Sequence, residues 1–497
     1  MTQPIAAPNI LFLYPEFPNT FWSFKHALKF IGKRAAFPPL GLLTVAALLP
    51  EGWGKRLVDL NVGRLKRKDL EWADYAFVGG MTVQRDSARS LIAACKEAGL
   101  PVIAGGPLFT TEPESFPDVD HFVLNEAELT LPEFVRDFAA GTLRREYRST
   151  EFADISQTPI PRWELADLRR YSSLSLQYSR GCPFQCDFCN VTALFGHRPR
   201  TKSPAQVVAE LDLLRGLGWS GKVFFVDDNL IGNKRHLREE LLPALINWQA
   251  AGRPLPFFTE ASINLADDPD LMEQMRDAGF ESVFVGIETP DAESLAECHK
   301  KQNTRRDLIA DVKRIQRAGL EVQAGFIVGF DSDTPTIFQR QIDFIQESGI
   351  VVAMVGLLQA VQGTRLHERL SAEGRLIGGS SGDNVDGTTN IVTRMDLAAL
   401  TDGYQRILQS IYSPANYYRR LRTFLQEYRG AKVTERLRFG HLTAFFHSAL
   451  ALGVFGRERF HYWRLMIWTL FKRPDQLSRA VSLAICGYHF RIVCRVN

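Results

Sequence analysis

Cysteine is scarce in this 497-residue chain: there are seven, and three of them crowd into CPFQCDFC (182–189). Long apolar runs are lacking too. The uncharged stretch from Phe439 to Gly456 falls short of the about 20 apolar residues that a bilayer-spanning helix needs, and it holds two histidines. The opening MTQPIAAPNILFLYPEF has no basic segment ahead of its apolar run Ile10–Leu13, which is too brief for the core of an export signal. The expectation is a cytoplasmic protein in a reducing compartment, where clustered cysteines more often hold metal than pair with each other. Cys95, Cys298, Cys486 and Cys494 are scattered and read as small buried residues.

Hydrophobic content of 45% and charged content of 23% exclude a disordered chain, and the length suggests about three domains. Charge is uneven. From Arg419 to Asn497 fifteen Lys and Arg face four Asp and Glu, so the segment carries +11 of a net +3 and the remainder −8. A basic tail on an acidic body points to an anionic partner.

Residues 1–150 alternate apolar runs with helical patterns. NILFLY (9–14), KRLVDL (55–60), DYAFVGG (74–80), PVIAGG (101–106) and DHFVLN (120–125) read as strands, and SARSLIAACKEAG (87–99) as one intervening helix. Such alternation predicts a doubly wound α/β domain with ligands beyond the carboxyl ends of its strands, where Gly105-Gly106-Pro107 falls. Residues 151–172 are proline-punctuated and read as a linker. From 173 to 395 six further strand–helix units predict a partial TIM-like barrel, with strands at 173–179, 222–228, 256–262, 282–288, 322–330 and 351–359. Thr334-Pro335 reads as the start of the helix over 334–349. From 396 to 497 the strand signal stops, and LRFGHLTAFFHSALALGVFGRERF and HYWRLMIWTLFKR predict a basic helical domain.

Cys182, Cys186 and Cys189 follow the first barrel strand, at the end where barrels keep their chemistry. Thiolates suit zinc or iron–sulfur. A structural zinc would need a fourth ligand, for which His197 is the neighbour available. A [4Fe-4S] cluster is usually held by four cysteines, so three would leave one iron open. VDDN (226–229) caps the second strand as support for the site or as a helix cap.

CPFQCDFC resembles the cluster motif of the radical S-adenosylmethionine (SAM) superfamily. The resemblance implies a [4Fe-4S] cluster on Cys182, Cys186 and Cys189 whose open iron chelates SAM, and an electron transfer that releases a 5′-deoxyadenosyl radical. It also implies SAM contacts at Phe188, at Glu260 and Ser262, at Gly286 and Glu288, and at Gly325, Ile327 and Gly329 of GFIVG. A doubly wound domain ahead of such a core resembles the cobalamin module of B12-dependent members. That likeness rests on FPPLGLLTVAALLP (37–50), GGMTVQR (79–85), AGGP (104–107) and NEAE (125–128), and implies cobalamin contacts at Thr82, Gly105, Gly106 and Pro107. The DxHxxG motif is absent, which implies cobalt without a histidine from it. Asn125 stands where the group often has glycine.

FVDDNLIGNKR, VFVGIETPDAESL, DSDTPTIF and the basic tail are similar to the hopanoid C-2 methylase branch and its relatives. That similarity implies methyl transfer from methylcobalamin to an unactivated carbon, with a flavodoxin or ferredoxin as reductant. The aromatic and basic tail suits an apolar, lipid-like substrate and peripheral contact with the inner face of a membrane. Nucleic acid is disfavoured, because related tRNA methylthiotransferases have further cluster cysteines in a first domain that here holds only Cys95. The competing readings are a B12-dependent radical enzyme performing oxidation, cyclisation or ring rearrangement, and a non-catalytic iron–sulfur electron carrier or sensor.

Overall fold

The computed structural model describes residues 7–252, 254–383, 385–430 and 439–496. Residues 1–6 of the opening segment, and Leu437 and Arg438 at the head of an expected tail helix, lie outside them. The first unit is a parallel sheet of β1 (Asn9–Tyr14), β2 (Gly54–Asp59), β3 (Tyr75–Gly79), β4 (Val102–Gly105), β5 (His121–Val123) and β6 (Glu146–Tyr147), in the order β2-β1-β3-β4-β5-β6. Its strands are apolar on both sides. Leu11, Leu13, Ala76 and Val78 enter one core, while Ile10, Phe12 and Phe77 enter the other. Strand residues alternate between faces, so two separate cores demand helices on both.

In the second unit β7 (Ser173–Leu176) is followed by a short antiparallel ribbon, β8 (Ser179–Arg180) and β9 (Arg200–Thr201). The parallel strands β10 (Lys222–Phe225), β11 (Phe257–Glu260), β12 (Phe280–Glu288), β13 (Glu321–Val328) and β14 (Ala353–Leu357) complete a six-stranded sheet in the order β14-β13-β12-β11-β10-β7. Each strand lies beside its successor and the two edge strands do not pair, which makes an open arc rather than a closed barrel. Val223, Phe225, Phe257, Val283 and Val285 pack outward with Leu211 and Leu245 of the covering helices.

The stretch read as a linker is a packed strap. Trp163 is fully buried against Leu43, Leu174 and Leu214, and its indole donates to Glu210 at 3.2 Å. Tyr171 donates to Asp59 at the end of β2 at 2.7 Å. The helix expected to start at Thr334-Pro335 runs over Ile337–Ser348, and Thr336, which precedes it, makes no side-chain cap. In the tail, helices Leu397–Ile411, Pro414–Glu427, Phe439–Ser448, Arg459–Lys472 and Leu477–Val493 follow one another. Fully buried Arg420 ties them to the arc by donating to Gln346, Ile411 and Val351.

A latch joins the two sheets. Arg180 of β8 meets Glu128 through two hydrogen bonds of 3.0 and 2.7 Å, and Arg200 of β9 meets Glu126, whose carboxylate also accepts from Ala153 N at 2.7 Å. Both acids stand at the start of helix Ala127–Ala140, where the helix dipole favours negative charge. Burial pushes the Glu128 carboxyl up, but the hydrogen bonds and charge of Arg180 outweigh it and leave it below the usual value. Glu128→Ala should cost about 3 kcal/mol, because it leaves a buried guanidinium with only Gln177 at 2.7 Å and a Glu126 oxygen at 3.5 Å, read as a lowered urea midpoint. A lowered carboxyl contributes stability that is complete above its unfolded pKa and lost as pH falls through the folded value. Glu128→Gln should therefore flatten that part of the acid limb.

Candidate active site

The loop from Gly181 to Pro199 springs from the β8–β9 ribbon and carries all three clustered cysteines, each partly exposed. Gly181 has a φ of +96°, and a Cβ there would sit 2.8 Å from Arg198 O, so only glycine lets the loop close on itself. Cys182 N donates to Gly196 O across the loop, and the loop is pinned from outside where Asp187 N donates to Cys298 O and Leu366 N to Asp187 O. Phe188 packs beside Phe330, Leu358 and Ile327, which seats the third cysteine. His197 is exposed. Among the described residues no three His, Cys, Asp or Glu side chains converge as they would around a single ion.

Burial raises the Cys182 thiol and pushes Cys189 up to about 12. Such thiols become thiolates against a metal centre, whose positive charge drives the proton off. The donor set, three soft sulfurs on a short loop without a fourth side chain beside them, fits an iron–sulfur cluster rather than zinc.

Facing the loop are the carboxyl ends of β10 to β13. Fully buried Asp227 accepts from Tyr178 N at 3.2 Å and from Ser179 N, so it braces the turn that leads into the cysteine loop, and burial drives it up to about 7. Asp228 is raised to about 6 by burial, and Glu260 to about 8 by burial and by Asp228. Ser262 donates through N and Oγ to Asn229 Oδ1, at 3.1 and 3.3 Å. Glu288, held at φ +64° where β12 slips register against β13, pairs with Lys300 at 2.6 Å. A Cβ on Gly286 would lie 2.3 Å from Glu288 Oε1 and 2.6 Å from Lys300 Nζ, so its absence makes room for that pair. Burial works against the Lys300 ammonium, but Glu288 and Cys186 hold it charged and above its usual value. Gln302 Nε2 reaches Cys186 Sγ at 3.7 Å, and Gln302 Oε1, Asn229 Nδ2 and Asp187 Oδ1 are buried without partners. Orphaned polar atoms beside a carboxylate and ammonium rim suit an amino-acid ligand, which carries both charges.

The other expected positions are placed as follows. Gly325 faces Phe284, whose Cζ would be 3.1 Å from an added Cβ, and Gly329 N donates to Asp333 at 2.8 Å. Gly105, Gly106 and Pro107 wall a cavity of about 330 Å³ at the strand ends of the first sheet, with Tyr14, Gly80 and Asn125. Gln177 and Arg180, at the root of the cysteine loop, line the same cavity. Thr82 lies outside the lining, against Gly382. Asn125 adopts φ +62°, which asparagine tolerates better than most residues and which explains glycine's alternative there; its Oδ1 is buried and unpartnered. The sequence offered no signal for Lys300 or Gln302, which reach the site from the segment that follows helix Ala292–Glu297.

Residues 176–345 match the family model of the radical SAM superfamily, and residues 364–497 that of DUF4070, a domain of unknown function. An uncharacterized methyltransferase of Synechocystis sp. is 40% identical over 490 residues, covering 97% of this chain and 91% of its own. The chain is a radical SAM protein. The hopanoid C-2 methylase of Rhodopseudomonas palustris is 38% identical over 74% of this chain and 71% of its own. Among solved structures, the cobalamin-dependent radical enzyme OxsB shares the fold at a TM-score of 0.64 and 14% identity, covering 98% of this chain and 79% of its own. The radical SAM methyltransferase TsrM of Kitasatospora setae, with cobalamin and a [4Fe-4S] cluster bound, does so at 0.58 and 17%, covering 81% and 85%. As a member of this superfamily the radical SAM protein takes a [4Fe-4S] cluster and SAM, for which the cysteine loop and the polar rim are the fitting residues. Replacing Cys182, Cys186 and Cys189 with alanine should leave anaerobically reconstituted protein without cluster iron, by metal and sulfide analysis, while the fold persists by circular dichroism.

Proposed function

We propose that this radical SAM protein is a cobalamin-dependent methyltransferase that acts on an unactivated carbon of an apolar, lipid-like substrate, in three units at 1–150, 173–395 and 396–497. The observation that carries the reading is the shared wall. Gln177 and Arg180, immediately before the cysteines, and Gly105 and Gly106 of the first sheet line one cavity. Methyl transfer between two cofactors needs their sites side by side and sheltered from water. When bound, the cluster with SAM supplies a radical able to take hydrogen from carbon, and cobalamin supplies a transferable methyl group.

This chain's residues do the rest. Cys182, Cys186 and Cys189 anchor the cluster. Glu260, Ser262, Glu288 and Lys300 orient the amino-acid end of SAM, and Gly286 keeps the rim open for it. The small residues Gly80, Gly105 and Gly106 form a platform with room for a flat macrocycle, and Asn125 Oδ1 offers a hydrogen-bond acceptor to one of its amides. Below the polar rim the inner face of the arc is aromatic. Phe224 and Phe258, both partly exposed, stack at 4.8 Å beside Phe37, and Trp22 meets Phe284 edge-on at 5.2 Å. That lining suits an apolar substrate, as does the likeness to a hopanoid methylase. The tail would hold the protein peripherally at the inner face of a membrane, and a flavodoxin or ferredoxin would reduce the cluster.

With SAM, a strong reductant and extracts of lipid, the reconstituted protein should form 5′-deoxyadenosine together with S-adenosylhomocysteine. Deoxyadenosine without S-adenosylhomocysteine while substrate is consumed would replace methyl transfer with oxidation, cyclisation or rearrangement. Cobalamin binding has its own check. Gly41 lines the cavity from a helix, and a Cβ there would meet nothing within 4 Å. Gly41→Trp should hold or raise thermal stability, since helical glycine sits about 0.8–1.0 kcal/mol above alanine, yet cut retained cobalamin severalfold by absorbance.

A further inference from the structure

Helix Arg459–Lys472 packs on the helical turn Ala449–Val454 that continues helix Phe439–Ser448. Ser448 and Tyr462 share a hydrogen bond of 2.9 Å, and Trp463 donates to Gly453 O at 2.9 Å. One side of this pair is core: Leu452, Tyr462, Leu465, Met466 and Thr469 are buried. The other side is also apolar but faces solvent. Phe446, Leu450 and Val454 recur every fourth residue, and Phe460, Trp463, Ile467 and Leu470 recur at three and four. Phe455 is 80% exposed and Phe471 78%. Contiguous apolar surface of this kind on a folded protein marks a docking face.

Charge decides what docks. Arg457, Arg459, Arg464 and Lys472 stand exposed around the apolar residues. Glu458, the sole acid between Phe439 and Pro474, is buried and paired with Arg491. Every exposed charge of the face is therefore positive. A second copy of this chain, meeting the same face through a two-fold axis, would set these cations against one another. An anionic bilayer instead takes phenylalanine side chains among its acyl chains and the cations among its headgroups. Among the described residues no helix is long and apolar enough to cross a membrane, so the contact is in-plane.

We propose that this two-helix face, centred on Phe455, Phe460 and Phe471, docks the protein on the surface of an anionic phospholipid bilayer. The inference deepens the membrane part of the proposed function and does not need the radical chemistry to be right, because its readout uses neither SAM nor turnover.

The test floats the full-length protein with vesicles of phosphatidylcholine alone and of phosphatidylcholine mixed with phosphatidylglycerol. The protein should rise with the mixed vesicles and release at high salt. Phe455→Ser/Phe460→Ser/Phe471→Ser should weaken binding by more than about tenfold, and Arg457→Ala/Arg464→Ala by roughly fivefold for each residue at low salt. Because all five side chains are exposed, both variants should keep the wild-type thermal midpoint. The proposal is overturned if wild type stays in the dense fraction, or if properly folded variants float as wild type does. A wild-type dimer that the phenylalanine variant splits, with no flotation of either, would also overturn it and assign the face to a second copy.

Discussion

Two arginines hold the site together. Arg180 and Arg200 are the pair next to the closing loop of a four-residue ribbon, the loop that carries the cysteines, and each reaches into the first domain for a glutamate. The pairs are almost dry, with Glu126 and Glu128 side chains 2% and 9% exposed, so solvent ions screen them little. Desolvation makes such pairs poor contributors to net stability, yet removal of one partner is severe. That asymmetry suits a joint between cofactor sites: it fixes position more than it adds stability. The strap behind it, with buried Trp163 and the Tyr171–Asp59 hydrogen bond, limits the remaining freedom of the two sheets.

The tail is fastened by a different chemistry. Arg420, fully buried, gives its guanidinium to a glutamine and two backbone carbonyls and, among the described residues, meets no carboxylate, while the rings of Tyr412 and Tyr417 lie 5.8 and 5.3 Å away. Arg479 reaches back to Glu321 at the start of β13 at 2.7 Å. Part of the basic excess of the C-terminal segment is thus structural. Arg457, Arg459, Arg464 and Lys472 around the two-helix face are exposed instead, a distinction that burial makes and a count of lysine and arginine does not.

The strands were legible because both sheets are parallel and covered, so each strand is a short apolar run between turns; NILFLY and β1 coincide. The cysteine loop was legible because its ligands are local in sequence. Its partners were not. Glu126 and Arg200 are 74 residues apart, and nothing in NEAE separates a latch from an ordinary acidic helix start. Prolines hid the strap, whose large anchors, Trp163 and Tyr171, lack any periodicity around them. Helix Arg459–Lys472 is apolar on two opposite sides, so its residues alone cannot say which side is core; the long helix Leu477–Val493 beneath it settles that.

The polar rim is left short of positive charge. Asp227, Asp228, Glu260 and Glu288 converge at the strand ends, and Lys300 pairs with only one of them. Burial raises the Asp228 carboxyl to about 6, and burial together with the Asp228 charge raises Glu260 to about 8, so the protein by itself supports those anions poorly. A ligand that brings positive charge relieves this cost, whereas a neutral or anionic one gains nothing from it. Lys300, held between Glu288 and the cysteine loop, leaves a cation for a carboxylate on the same ligand. The charge of the rim is therefore complementary to a molecule with cationic and carboxylate groups close together, and the rim lies against the loop that carries Cys182, Cys186 and Cys189.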